Sequence, residues 1–130
     1  REKEVFVDKG RLVKVQPVVV PSTKGDGKSA RVHLRFTPDR KKAVHWTNDA
    51  GPLSFHLEES SSFAVHDLSV PQISKGQLTS HEERVIEIEI RPKKGEVLPS
   101  RIKGDAFYYI CEGVDGTCLY LRNEIEIEIE

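Results

Sequence analysis

Asn123-Glu-Ile-Glu-Ile-Glu-Ile-Glu130 closes the chain, and its composition alone reads two ways. Glutamate is a good helix former, so a charged terminal helix is one reading. The strict alternation decides against it. In a helix, residues two apart scatter around the cylinder, whereas in a strand they stack on one face. The segment is therefore a strand, with Ile125, Ile127 and Ile129 on an apolar face and the glutamates toward water.

The same period recurs upstream. Ser29-Ala-Arg-Val-His-Leu-Arg-Phe36 places Ala30, Val32, Leu34 and Phe36 on one face and Arg31, His33 and Arg35 on the other, as a half-buried strand requires. Leu53-Ser-Phe-His-Leu57 repeats it, and so does Arg84-Val-Ile-Glu-Ile-Glu-Ile90, with Ile86, Ile88 and Ile90 inward. Arg11-Leu-Val-Lys-Val15 and Val18-Val-Val20 form a strand interrupted by Pro17, which suits a sheet edge or a bulge because proline cannot donate to a central ladder. Phe63-Ala-Val-His-Asp-Leu-Ser-Val70 and Ala106-Phe-Tyr-Tyr-Ile-Cys111 supply two more. Turn signals separate them at Lys24-Gly-Asp-Gly27, Thr37-Pro-Asp39, Asn48-Asp-Ala-Gly-Pro52, Pro92-Lys-Lys-Gly95 and Lys103-Gly-Asp105. Seven or eight short strands at this spacing predict an all-β, immunoglobulin-like antiparallel β-sandwich, a single domain over residues 1–130.

Composition narrows the function. Apolar residues make up 37% of the 130 positions, enough for one core, and charged residues 32%, balanced to a net of -1. That balance gives neither a nucleic-acid footprint nor a polybasic membrane anchor. The longest apolar run, Pro17-Val-Val-Val-Pro21, is far below the ~20 residues a helical bilayer crossing needs. With no Met, and with Arg1-Glu-Lys-Glu4 unlike a signal peptide, the chain reads as a processed product or a domain excised from a longer one.

Both cysteines lie in Cys111-Glu-Gly-Val-Asp-Gly-Thr-Cys118. Strand-like residues flank a six-residue loop carrying two glycines, so the stretch is a hairpin. Two cysteines this close cannot form the inter-sheet disulfide of immunoglobulin domains. Leu119 and Leu121 share the apolar face of the tail, so Cys118 and Tyr120 point to the other side. If Cys111 meets Cys118, Phe107 and Tyr109 lie on that side too, leaving Ala106, Tyr108 and Ile110 for the core. A zinc clip would need four ligands, and His33, His45, His56, His66 and His81 are not near the hairpin in sequence; they read as solvent-side residues, so no metal or other cofactor is expected. Closing so short a loop stabilises by only ~2 to 2.5 kcal/mol on chain-entropy grounds, yet a local, near-surface pair is open to an attacking thiolate. A structural staple and an exchangeable pair both stay open.

Tyr108-Tyr-Ile-Cys-Glu-Gly-Val-Asp-Gly-Thr-Cys-Leu-Tyr-Leu-Arg122 with its closing strand resembles the cysteine hairpin of the N-terminal domain of the DsbD thiol:disulfide interchange family. It is more similar still to the C-terminal β domain of thioredoxin-like proteins with NHL repeats. Val44-His-Trp-Thr-Asn-Asp-Ala-Gly-Pro-Leu53 likewise resembles their Leu-Asn-x-x-Ala-Pro element. The resemblance implies an immunoglobulin-like sandwich, with Cys111 and Cys118 as the catalytic pair of a thiol-disulfide oxidoreductase that relays electrons between a thioredoxin-like partner and a client. An oxidised pair favours an extracytoplasmic location, periplasmic or secreted, with a cytoplasmic one as the alternative that the NHL-linked proteins keep open. The loop here has six residues where DsbD has five. The alternative is a non-catalytic interaction module whose hairpin disulfide is structural.

Within the hairpin, Glu112 and Asp115 disfavour a thiolate and no Lys, Arg or His favours one, so the pair waits on its partner for activation. Phe107, Tyr109 and Tyr120 are candidates to shield it, or else pack simply as cross-strand aromatics. Gly25-Asp-Gly-Lys-Ser29 lacks the first glycine of a phosphate loop, Ser22 standing there, and reads as a turn. Ser60-Ser-Ser62 has no nucleophile-elbow frame and reads as a loop, Arg40-Lys-Lys42 as a solvated loop, and Trp46 as a core or sheet-covering residue.

Overall fold

The computed structural model describes residues 5–9, 11–21, 29–48, 52–71, 79–113 and 117–129. Ten strands run through them: β1 Val5–Val7, β2 Val13–Pro21, β3 Ala30–Pro38, β4 Val44–Thr47, β5 Ser54–Leu57, β6 Phe63–Ser69, β7 Thr79–Ser80, β8 Arg84–Pro92, β9 Arg101–Glu112 and β10 Thr117–Glu128. A single 3-10 turn, Arg40–Lys42, precedes β4.

The strands form an immunoglobulin-like sandwich of two sheets. One has the order β1-β10-β9-β4-β7, with β5 also on β9, and the other β2-β3-β8-β6. All pairings are antiparallel except β1 with β10. Ten strands replace the expected seven or eight because β1 and β7 span three and two residues, too short for alternation to be read.

Alternation places the core as the sequence requires. Val32, Leu34 and Phe36 of β3 and Ile86, Ile88 and Ile90 of β8 are sealed between the sheets, as are Ile125 and Ile127 of β10. Each such side chain stabilises the fold by about 1.5–3 kcal/mol on burial. At the centre the rings of Phe36 and Trp46 meet Tyr108 edge-on, at 6.1 and 6.0 Å between centroids. The polar positions of the second sheet pair across strands on its outer face: Arg31 with Glu89, Arg35 with Glu83, and His33 with Glu87. Pro17 sits where its missing donor costs nothing, on the edge strand β2 opposite Leu34.

Two turn expectations need correction. Lys103-Gly-Asp105 lies inside β9. Its glycine marks a close approach: a Cβ on Gly104 would lie 2.4 Å from Phe55 Cζ and 2.7 Å from the His56 carbonyl oxygen, where β5 crosses. Thr37-Pro-Asp39 turns only at its end, because β3 runs through Pro38 and Asp39 then caps the 3-10 turn by accepting from the Lys41 amide at 2.9 Å. Pro92-Lys-Lys-Gly95 does turn at its end, with Gly95 at φ 80° and the Glu96 amide donating to the Lys93 carbonyl at 2.8 Å. The turn read at Lys24–Gly27 and most of that at Asn48–Pro52 fall outside the described residues.

Candidate functional site

β9 and β10 are the two longest strands, and their register runs without a break from Thr117 opposite Glu112 to Glu128 opposite Arg101. That register brings Cys118 directly opposite Cys111, with Cα atoms 4.0 Å apart and the two sulfurs bonded. Ala106, Tyr108 and Ile110 point into the core, at 1% exposure or less, as the sequence requires if the cysteines meet on the other face. Gly113, at φ 69°, takes the left-handed conformation that turns the chain out of β9. Residues 114–116 of the loop, Asp115 among them, are outside the described residues.

The two sulfurs are not equivalent. Cys118 is exposed, whereas Cys111 is 6% exposed although it projects from the outer face. Its neighbours in the sheet explain this, since Cys111 lies between Cys118 of β10 on one side and His45 of β4 on the other, both in direct register with it.

The aromatic residues expected at the site occupy the same outer face. Tyr109 and Tyr120 are register partners stacked at 4.2 Å between centroids, and Phe107 stacks on Tyr120 at 5.9 Å. The ring of His56 meets the edge of Phe107 at 6.0 Å. This strip runs along β9 and β10 and ends at Tyr109 and Tyr120, two residues from Cys111 and Cys118 on the same face. The rings pack on one another as cross-strand aromatics.

His45 is the residue that sequence reasoning missed. Its distance in sequence from the hairpin hid it, because only the pairing of β4 with β9 puts it beside Cys111. The imidazole Nδ1 lies 3.2 Å from the Ala43 carbonyl oxygen, which can only accept, so Nδ1 donates and Nε2 keeps the lone pair of the neutral ring. The same carbonyl accepts from the Gly113 amide at 3.0 Å. Ala43 itself is left-handed, at φ 55°, where it ends the 3-10 turn. One oxygen thus anchors both the ring and the shoulder of the cysteine hairpin. Arg40, Ala43, Val44, His45 and His81 line an open cavity of about 300 Å³. No Lys, Arg or His lies within the loop sequence, and it is the pairing of β4 with β9 that makes His45 the register neighbour of Cys111.

The other residues singled out lie elsewhere. His33, His56 and His66 sit on strands at a distance along the sheets, His33 paired with Glu87. Arg40–Lys42 are exposed on their 3-10 turn. Ser60 and Ser62 bond to one another, hydroxyl to hydroxyl at 2.9 Å, in a local turn. Trp46 is a core residue whose Nε1 donates to the Glu82 carbonyl at 2.8 Å. Gly25–Lys28 are outside the described residues. No helix among the described residues is long and apolar enough to cross a membrane.

No protein-family description matches the chain, and no curated protein matches it significantly in sequence. Among solved structures the chain is similar to the crystal structure of the Neisseria meningitidis DsbD N-terminal domain in the reduced form, with a TM-score of 0.46 and 12% identity over 94% of this chain and 89% of that one.

Proposed function

We propose that this chain is a thiol-disulfide exchange module that relays electrons between a thioredoxin-like partner and a client through Cys111 and Cys118. The observation that carries this reading is the asymmetry of the bond: Cys118 is an exposed residue at the end of a ribbon and Cys111 is buried within the sheet. An incoming thiolate needs one reachable sulfur with its leaving group aligned behind it, and a bond joining an exposed and a buried cysteine provides that. The resemblance of the Tyr108–Arg122 hairpin to that of the DsbD family supports the same reading.

In the exchange, a partner thiolate attacks Cys118 Sγ and the bond to Cys111 breaks, leaving a mixed disulfide and a reduced Cys111. The second partner thiol then releases Cys118. Run in the other direction, the reduced pair delivers its electrons to a client disulfide. Phe107, Tyr109 and Tyr120 serve as the shielding wall, restricting approach to partners that fit against flat rings. An oxidised resting pair belongs in an oxidising compartment, so the module works outside the cytoplasm.

The test is equilibration of the oxidised protein with a reduced thioredoxin-like dithiol, followed by acid quench and alkylation. Exchange within minutes, with a reduction potential above about -300 mV, supports the relay. A bond that resists the dithiol and lies below that potential belongs instead to an interaction module with a structural staple. A Cys111→Ser variant should trap a mixed disulfide through Cys118, and Cys118→Ser should trap far less.

A further inference from the structure

Resting on the exchange reading above, we propose that His45 is the acid-base partner of the Cys111 sulfur. His45 and Cys111 are directly opposed in the antiparallel pairing of β4 with β9, so both side chains leave the same face. Opposed residues hold their Cβ atoms roughly 4.5–5.5 Å apart, within reach for an imidazole and a thiol. Cys111 is otherwise enclosed, with Cys118 on its far side, so the charge that forms on it during exchange has His45 rather than bulk water as its neighbour.

The ring is prepared for the task. Donation from Nδ1 to the Ala43 carbonyl fixes the neutral tautomer and leaves Nε2 to take or give the proton. The cavity that His45 shares with Arg40 and His81 opens the ring to water, from which the proton is replenished. Among the described residues, Arg40 on the 3-10 turn and His81 in the segment before β8 are the charged or titratable groups that line this cavity with His45. Around Cys111, among the described residues, stand Tyr109 on its own strand, Tyr120 on β10, and Glu112, the next residue along β9 and opposite Val44 and Thr117.

When the partner thiolate attacks Cys118, the electron pair of the broken S–S bond passes to Cys111 Sγ, and protonated His45 donates its Nε2 proton to that sulfur. In the reverse step, neutral His45 removes the Cys111 proton, the thiolate attacks Cys118 in the mixed disulfide, and the partner leaves as a thiolate.

The experiment follows the Cys111 thiolate without any partner, in the full chain carrying Cys118→Ser, by ultraviolet thiolate absorbance and by the Cβ resonance of labelled cysteine across pH 5–10. Adding His45→Gln should lower the thiolate fraction at pH 7 about three- to tenfold, the change expected on losing one nearby proton acceptor. His81→Gln, placed in the cavity but not opposite the sulfur, should change it far less. An unaltered curve in His45→Gln overturns the proposal. Should that variant fail to fold, wild-type protein decides: the His45 ring proton must titrate at higher pH in the reduced than in the oxidised form, and superimposed curves overturn the proposal equally. Because no partner takes part, failure of the exchange reading is seen in the dithiol experiment and not in this one.

Discussion

The hydroxyl of Tyr108 donates to Oδ2 of Asp8 at 2.5 Å, joining residues 100 positions apart inside the sandwich. Asp8 is 3% exposed and also accepts from the amides of Arg11, Leu12 and Val13, at 3.1, 2.9 and 3.1 Å. Asn123 completes the set by donating to the Tyr108 oxygen at 3.2 Å. The carboxylate thus shapes the connection from β1 to β2 and ties it to the strand that carries Cys111. Replacing Asp8 with alanine strands several buried donors at once and should cost about 3 kcal/mol, while Tyr108→Phe should cost about 1–2 kcal/mol. The double variant should lose less than the sum, since both remove one shared bond. Urea denaturation measures all three.

The same pair sets an alkaline limit. Burial, reinforced by the bond to Asp8 and its charge, holds the Tyr108 phenol well above its ordinary value of 10.0. Its folded-state pKa is raised, so the stability it contributes is complete below pH 10 and falls as pH rises beyond it, because the unfolded chain then ionises while the folded one does not. Wild-type protein should therefore lose stability above about pH 10. Tyr108→Phe should flatten that decline, and an equal slope in the variant would refute the assignment.

Arg84 opens β8 in phase with Ile86, Ile88 and Ile90, so alternation sends a charged residue inward, and it is 7% exposed. Its guanidinium lies 4.8 Å from the centroid of the Trp46 ring and donates to Asn48 Oδ1 at 2.7 Å, to Ser80 Oγ at 3.2 Å and to Glu82 Oε2 at 2.7 Å. Burial pulls the Glu82 carboxyl upward, but the bonds from Arg84 and Ser80 and the charge of Arg84 outweigh it and hold the group below its usual range. The network joins the two sheets beside β4, the strand that presents His45. Arg84→Ala should cost about 2–4 kcal/mol and alter Trp46 fluorescence. Arg84→Lys should recover little, because an ammonium cannot serve three acceptors in one plane while covering the ring.

Gly104 marks where sequence reading succeeded and where it stopped. Gly104→Ala drives a Cβ into the Phe55 ring and the His56 carbonyl, and since the carbonyl is backbone, the strain is relieved only by moving β5. A cost of about 2–3 kcal/mol is expected, with amide exchange accelerated first at Ser54–Leu57. Period-two patterns at Ala30–Phe36, Arg84–Ile90 and Ile125–Ile127 are local, so the core faces, the sandwich and the side on which Cys111 meets Cys118 were legible. A glycine between lysine and aspartate carries the same letters whether it turns or receives a neighbouring ring. The pairings of Cys111 with His45 and of Tyr108 with Asp8 depend on which strands become neighbours, and no local pattern records that.

The hairpin bond should be dispensable for folding, which separates a cycling pair from a staple. It spans seven positions, so on chain-entropy grounds breaking it costs only about 2.4 kcal/mol. The register of β9 with β10 continues for ten further pairs beyond it, down to Glu128 opposite Arg101, and Ile110, Tyr108 and Leu121 stay buried whatever the state of the sulfurs. Reduced protein should therefore keep its amide spectrum outside residues near the loop, with a urea midpoint lowered by no more than that increment. A client-reducing module must persist in this form between encounters. If reduction unfolds the sandwich, the reduced state cannot be a working intermediate, and Cys111–Cys118 is a structural bond.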